Sequence, residues 1–168
     1  MHTYIIAAYA ANRVIGNKGD LIWHLPADQA FFFDRIKKSL LLTGRTSFES
    51  GHGSQTFQDL SRVIILSRQE NYSVGEAHVV SNLDDALALA KTLAYQELAI
   101  LGGAKVYEKT IDWVDELVIT EIHETFHGDT FFPPIDLEVW EEVHREDFSK
   151  DEVNPYDYSF VRYTKRAN

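Results

Sequence analysis

Leu98-Ala99-Ile100-Leu101-Gly102-Gly103-Ala104-Lys105-Val106-Tyr107 is the stretch on which the fold turns. A short apolar run without alternation suits a strand buried on both faces. Paired glycines end it, and a helix begins with the residues after them. A buried strand feeding a helix through a glycine turn is half of a parallel crossover. The order recurs at Leu40-Leu41-Leu42-Thr43-Gly44-Arg45-Thr46-Ser47, whose helix reaches about Ser50. Residues 3–9 and 62–66 read as further buried strands, and residues 77–80 as a shorter one. Pro26 opens a helix that runs to about Ser39. Ser81 followed by Asp84 resembles a capping box. Leu83, Ala86, Leu87, Ala90 and Leu93 then keep helical spacing. Residues 116–122, 139–148 and 156–164 read as strands, the last two joined in a hairpin. Strands alternate with helices and later follow one another alone. That predicts an α/β sheet, mostly parallel, with an antiparallel C-terminal edge.

The chain of 168 residues has the length of one domain, and residues 1–168 are read as a single one. It contains no cysteine, which excludes disulfides and thiolate-held metals. Residues 1–84 carry 8 basic and 8 acidic side chains, and residues 85–168 carry 8 and 18. The whole net charge of −10 therefore lies in the second half. Such a balance argues against nucleic acid or an anionic membrane as partner. Apolar runs are too short to span a bilayer, and the opening Met-His-Thr-Tyr shows no basic leader. A cytoplasmic location is the expectation.

Three constellations carry chemistry. In Trp23-His24-Leu25-Pro26-Ala27-Asp28, the acid falls in the first turn of a helix. Alone, that suits a carboxylate placed for free N–H groups. With Trp23, Leu25, Phe31 and Phe32 as an apolar wall, the acid is instead desolvated and suited to a flat amidine-like heterocycle. In Thr43-Gly44-Arg45-Thr46-Ser47, backbone N–H groups, hydroxyls and an arginine meet at a helix start, which suits a phosphate as well as a plain cap. Ser67-Arg68 ends another strand in the same way, and two such strand ends suggest one phosphate pocket. Gly102-Gly103 lets backbone approach a pyrophosphate, although a glycine pair is also simply a tight turn. His123 and His127 sit four apart in a strand-like setting, which separates them and argues against a metal. Residues 12–23, with Gly16, Asn17, Gly19 and Asp20, read as a long and functional loop.

Together these segments resemble dihydrofolate reductase, almost end to end. The resemblance rests on Ile6-Ala7-Ala8, Asn12-Arg13-Val14-Ile15-Gly16 and Trp23-x-Leu25-Pro26-Ala27-Asp28. It continues through Gly44-Arg45-Thr46-Ser47-Phe48-Glu49-Ser50, Ile64-Ile65-Leu66-Ser67-Arg68 and Leu101-Gly102-Gly103-Ala104-x-Val106-Tyr107. It closes with Gly128-Asp129-Thr130-x-Phe132-Pro133. The resemblance implies an eight-stranded sheet, seven strands parallel and the last antiparallel, with four flanking helices. It implies NADPH-dependent reduction of 7,8-dihydrofolate to tetrahydrofolate in one-carbon metabolism, by a monomer open to antifolate inhibitors. Asp28 is then the acid at the pterin, supported by Thr120 and by Trp23. Ile6, Ala7, Phe32 and Tyr107 line the substrate pocket. Arg45, Thr46, Ser47, Ser67 and Arg68 hold the cofactor's phosphates. Ala8, Ile15, Gly16, Leu21, Gly44, Leu66, Leu101, Gly102, Gly103, Ala104, Lys105, Val106 and Tyr107 complete the cofactor site. Residues 16–21 correspond to the family's lid over the nicotinamide, braced by Gly128-Asp129, and the Gly102–Gly103 peptide is expected to be cis.

The chain departs from the family where the substrate's glutamate tail binds. Ser61 stands at the place of the arginine that grips the tail carboxylate, and Arg62 follows one residue later. On a strand that step turns a side chain to the other face. Gly51, Ile22 and His24 also replace common family residues. Two alternatives stay open: a reductase of the same fold acting on a tailless pterin or a flavin-pathway pyrimidine, and a non-catalytic nucleotide-binding protein.

Overall fold

A computed structural model describes residues 1–16, 21–51 and 55–167. Residues 17–20, the greater part of the expected lid, lie outside them, as do residues 52–54. The strands are β1 (His2–Ala10), β2 (Val14–Gly16), β3 (Leu40–Gly44), β4 (Val63–Leu66), β5 (His78–Val80), β6 (Glu97–Ile100), β7 (Glu116–Ile122), β8 (Thr130–Phe131), β9 (Trp140–Phe148) and β10 (Tyr158–Lys165). The helices are α1 (Pro26–Ile36), α2 (Arg45–Gly51), α3 (Leu83–Thr92) and α4 (Ala104–Thr110). Among the described residues, eight strands form one sheet in the order β5-β4-β3-β6-β1-β7-β10-β9. Seven share one direction, and β10 runs antiparallel to both its neighbours, as expected.

Period-two alternation divides the core between two faces. Tyr4, Ile6, Leu41, Ile65 and Val118 pack with Ile36 of α1 and Phe48 of α2. Ile5, Leu40, Leu42, Ile64, Ile100 and Ile119 pack with Ala86 and Ala90 of α3 and with Val106 and Tyr107 of α4. Both faces are covered, which is why the central strands read as unbroken apolar runs.

Four local features differ from the expectation. Residues 14–16 are not loop: β2 pairs antiparallel with β8, so two distant segments meet in a small ribbon. Helix α1 stops at Ile36, three residues early. Its last turn closes through Ser39 N–H to Ile36 O, and the Arg62 guanidinium takes the carbonyls of Ile36 and Lys37 at 2.7 and 2.5 Å. Helix α3 is capped by Asn82, whose side chain accepts from Asp85 N–H at 2.8 Å, and not by Ser81. Arg62 belongs to a 3-10 turn, Leu60–Arg62, and β4 starts after it. The two-face alternation of a strand therefore does not govern where Arg62 points.

Beneath α1, at the start of the parallel strands, Glu116 is buried among cations. It accepts from Arg162 Nε and lies against His2 Nε2, both at 2.8 Å. Arg35 of α1 lies 3.9 Å from it, pairs with Glu97 at 2.9 Å and stacks 3.8 Å over the Tyr4 ring. Removing one member of such a group leaves its partners uncompensated. Glu116→Ala is expected to lower the unfolding free energy by about 1–3 kcal/mol, moderated by the partial exposure of both arginines. Urea unfolding checks it: the midpoint should fall with the slope unchanged.

Candidate active site

Helix α1 starts at proline, which needs no N–H partner at that place. Its first turn carries Asp28 toward the middle of the sheet. Thr120, buried on β7, donates to Asp28 Oδ1 at 2.6 Å. Register sets Thr120 beside Ala8 of β1 and Phe160 of β10. Burial pushes the Asp28 carboxyl above its ordinary range, and the bond from Thr120 works against that rise. Trp23 and Leu25 are buried just ahead of it, while Phe31 and Phe32 are partly buried on the helix. Among the described residues, the Trp23 indole Nε1 is the buried side-chain nitrogen or oxygen without a hydrogen-bond partner. A buried donor of this kind calls for a polar atom from a ligand or water.

On the other side stands Tyr107 of α4. Its hydroxyl lies 3.1 Å from Ile6 O and 2.9 Å from Leu101 O, donating into that pair. Burial, with the negative charge of Asp28 added, pushes the phenol well up, so it stays a neutral donor. Ile6, Ala7 and Ala8 follow one another on β1, Ile6 O lying 3.1 Å from this tyrosine's hydroxyl and Ala8 pairing in register with Thr120.

The glycine turns after β3 and β6 are tied together. Gly44 N–H donates to Gly102 O at 2.8 Å, and the Thr43 hydroxyl lies 3.3 Å from the same oxygen. Gly102 has φ +108 and would set a Cβ 3.0 Å from the Tyr107 ring, so only glycine fits there. Around Gly103 there is room: a Cβ would meet nothing nearer than Ser47 Cβ, at 4.0 Å. The Gly102–Gly103 peptide is cis, as the resemblance implied. The starts of α2 and α4 thus lie close together, a Cβ at Gly103 just reaching Ser47 and one at Gly44 coming within 3.7 Å of Gly103 N. Val106 is buried below Gly44, whereas Lys105 and Thr46 are exposed.

The phosphate-type residues stand at the same end of the sheet. Arg45 pairs with Glu49 through both carboxylate oxygens at 3.1 Å. Ser67 is buried at the end of β4, and Arg68 after it is exposed. A shallow pocket beside Ser67 is also lined by Gln69, Asn71, Tyr72 and Asp85. Sequence reasoning missed those four. Their one local signal is the left-handed backbone of Asn71, φ 58. Ile15 and Gly16 sit on β2, and Leu21 is exposed beyond the undescribed residues. His123 Nε2 lies 2.7 Å from the Ser159 hydroxyl, which donates to Asp147 at 2.5 Å. Among the described residues, no helix is long and apolar enough to cross a membrane.

Two helix starts after glycine turns, with hydroxyls and arginines beside them, fit a dinucleotide phosphate, and the acid with its neighbouring wall fits a flat heterocycle. Known proteins agree with that chemistry. The family profile described as dihydrofolate reductase matches residues 2–165. The dihydrofolate reductase of Bacillus subtilis is 37% identical over 161 residues, covering 96% of this chain and 93% of that protein. That of Staphylococcus haemolyticus is 32% identical, covering 96% and 94%. A solved structure of the Enterococcus faecalis enzyme, complexed with NADP(H) and RAB-propyl, superposes with a TM-score of 0.83. It is 34% identical and covers 99% of this chain and 97% of its own. The chain belongs to the dihydrofolate reductase family.

Proposed function

We propose that residues 1–168 act as one catalytic domain that reduces 7,8-dihydrofolate to 5,6,7,8-tetrahydrofolate at the expense of NADPH, as a cytoplasmic monomer. The observation that carries this reading is the Asp28–Thr120 pair at 2.6 Å in an apolar setting. A carboxylate held there accepts from the 2-amino group and N3 of a pterin. Its charge favours protonation at N5, with water as the carrier. The unpartnered Trp23 Nε1 suits the orientation of that water or of a substrate oxygen. Ile6, Ala7, Phe32 and Tyr107 form the wall that keeps other water out.

NADPH supplies the hydride when bound, and the chain's part is to hold it in line with the pterin. The glycine turn at Gly102–Gly103, with Gly44 beside it, takes the pyrophosphate. Arg45 and Arg68, with Thr46, Ser47 and Ser67, take the 2′-phosphate and share in holding the pyrophosphate, and two arginines favour the 2′-phosphorylated cofactor. Ala8, Ile15, Gly16, Leu21, Leu66, Leu101, Ala104, Lys105 and Val106 border the same strip. Antifolates carrying a diaminopyrimidine would pair with Asp28 as the pterin does.

The tail half of the substrate needs another residue than Ser61, whose N–H and hydroxyl both go to Asp59, at 3.1 and 2.6 Å. Arg62 is better placed. Its guanidinium is anchored on the end of α1 by two N–H groups, and a guanidinium carries five. We assign the tail carboxylate to Arg62.

Three variants test this reading. Stopped-flow NADPH oxidation should show rapid turnover of dihydrofolate by the native protein and near loss with Asp28→Asn; an unimpaired variant would remove Asp28 from the mechanism. The same variant should be the more stable one at neutral pH. The raised folded-state pKa of Asp28 means stability is lost as pH rises through it, so the gain from asparagine should shrink in acid. Arg62→Ala should raise KM for dihydrofolate about 10-fold or more and that for a tailless dihydropterin far less, the smaller change reflecting the freed end of α1. Equal effects on both substrates would refute the tail assignment, and turnover of the tailless pterin alone would favour the alternative reductase. Gly128→Ala would force a Cβ to 2.4 Å from Val14 Cγ1 and 2.7 Å from Gly16 O. It should change steady-state turnover more than the hydride step, since Asp129 N–H binds Gly16 O at the base of the expected lid.

A further inference from the structure

The first turn of α1 lacks a cap of its own. Pro26 has no N–H, and Leu25 at the cap position has no side-chain acceptor. Asp28 and Gln29 both donate to Leu25 O, at 3.0 and 3.2 Å. Ala27 N–H goes elsewhere. It donates at 2.9 Å to Oδ1 of Asn154, which is 127 residues away in the loop between β9 and β10. Asn154 is buried, at 8% exposure.

That acceptor is itself held in place. Asp151 Oδ1 accepts the N–H of Val153 at 2.8 Å and of Asn154 at 2.6 Å. The Asn154 amide donates back toward both Asp151 oxygens, at 3.3 and 3.4 Å. Asp151 N–H binds Asn154 O at 2.9 Å, and Lys150 N–H binds Asp157 Oδ1 at 2.8 Å. The backbone donors hold the Asp151 carboxyl below its ordinary range, so it is an acceptor throughout neutral pH. The same loop reaches the other flank of the site. Tyr156 meets Phe126 edge-on at 5.3 Å, and Phe126 packs on Trp23 at 5.4 Å.

We propose that Asn154 is a positioning residue for Asp28, a helix cap supplied across the fold. A cap at position 25 would need a short polar side chain. Position 25 instead holds a leucine with 2% exposure, part of the apolar cluster with Trp23 and Tyr158. The wall and the local cap compete for one residue, and the acceptor is delivered from the hairpin. Without it the first turn frays, and the Asp28 carboxylate leaves the geometry of its bond from Thr120. The inference rests on the reading of Asp28 as the acid at the pterin.

The groups that bear on Asp28 are Thr120 from β7 and Tyr107 from α4. The bond from Thr120 stabilises the ionised form, so its loosening moves the titration of Asp28 upward. The test is the pH dependence of hydride transfer from NADPH to dihydrofolate, followed by stopped flow. Asn154→Ala should slow the step about 3- to 10-fold at neutral pH, by the worth of a lost cap, and displace its apparent pKa upward. The exchange Asn154→Asp with Asp151→Asn keeps an acceptor for Ala27 and a donor between the two side chains, and should restore most of the rate. If the alanine variant fails to fold, Asn154→Ser, too short to reach Ala27, takes its place. A lowered Tm with unchanged rate and pH profile would overturn the proposal and leave a merely structural cap. Asp28→Asn is run alongside: if it is inactive while Asn154→Ala is normal, the positioning role alone falls. If Asp28→Asn is fully active, the reading of the acid falls with it.

Discussion

The bond from Thr120 to Asp28 is the contact to which the other contacts of α1 are subordinate. A carboxylate is set against an apolar wall, where its charge is costly, and one hydroxyl from the sheet offsets part of that cost. The bond tolerates little movement, so α1 is fastened along its length. Asn154 holds its first turn from the C-terminal hairpin. Arg35 ties its far half to Tyr4, Glu97 and Glu116. Arg62 takes its last carbonyls. Hydrogen bonds and ion pairs from three distant parts of the chain thus serve one side-chain position.

The second half of the site has a different logic. Parallel strands deliver loops to one end of the sheet, and two of those loops are glycine turns. The carbonyl of Gly102 accepts from Gly44 N–H and lies near the Thr43 hydroxyl, so the turns cannot drift apart. Rigidity here comes from backbone, and a Cβ at Gly103 would meet nothing nearer than Ser47 Cβ, at 4.0 Å. Charge sits further out, on Arg45 and Arg68, where side chains can adapt.

The acidic second half of the chain also has a place in the fold. Four of its 18 acids lie on β9, the sheet edge, where Glu141, Glu142, Glu146 and Asp147 are all exposed. Charged side chains on an open edge discourage pairing with another chain. Arg145 draws some of that charge together, bonding Glu121 at 2.8 Å and also reaching Glu142. Of this charge, Asp85 lines the pocket beside Ser67, while the phosphate-type residues themselves come from the balanced first half.

Strand identity, sheet class and the place of the candidate acid were legible in the linear order of residues. Unbroken apolar runs ending in Gly44 and Gly102 state that a strand is buried on both faces and turns into a helix, and Asp28 after Trp23-x-Leu25-Pro26 falls in the first turn of a helix beside apolar residues. Those signals are local, because periodicity, backbone freedom and the missing N–H of proline act within a few residues. The remaining features are pairings between residues far apart, and no local rule encodes them. The ribbon of residues 14–16 with 130–131, the cap from Asn154 to Ala27, and the turn that sends Arg62 to the end of α1 all depend on which segments the fold brings together. Ser61 and Arg62 make the point most directly. Alignment along the chain assigns them faces by strand alternation, but a 3-10 turn replaces the strand there, so the reach of the arginine was settled only in three dimensions.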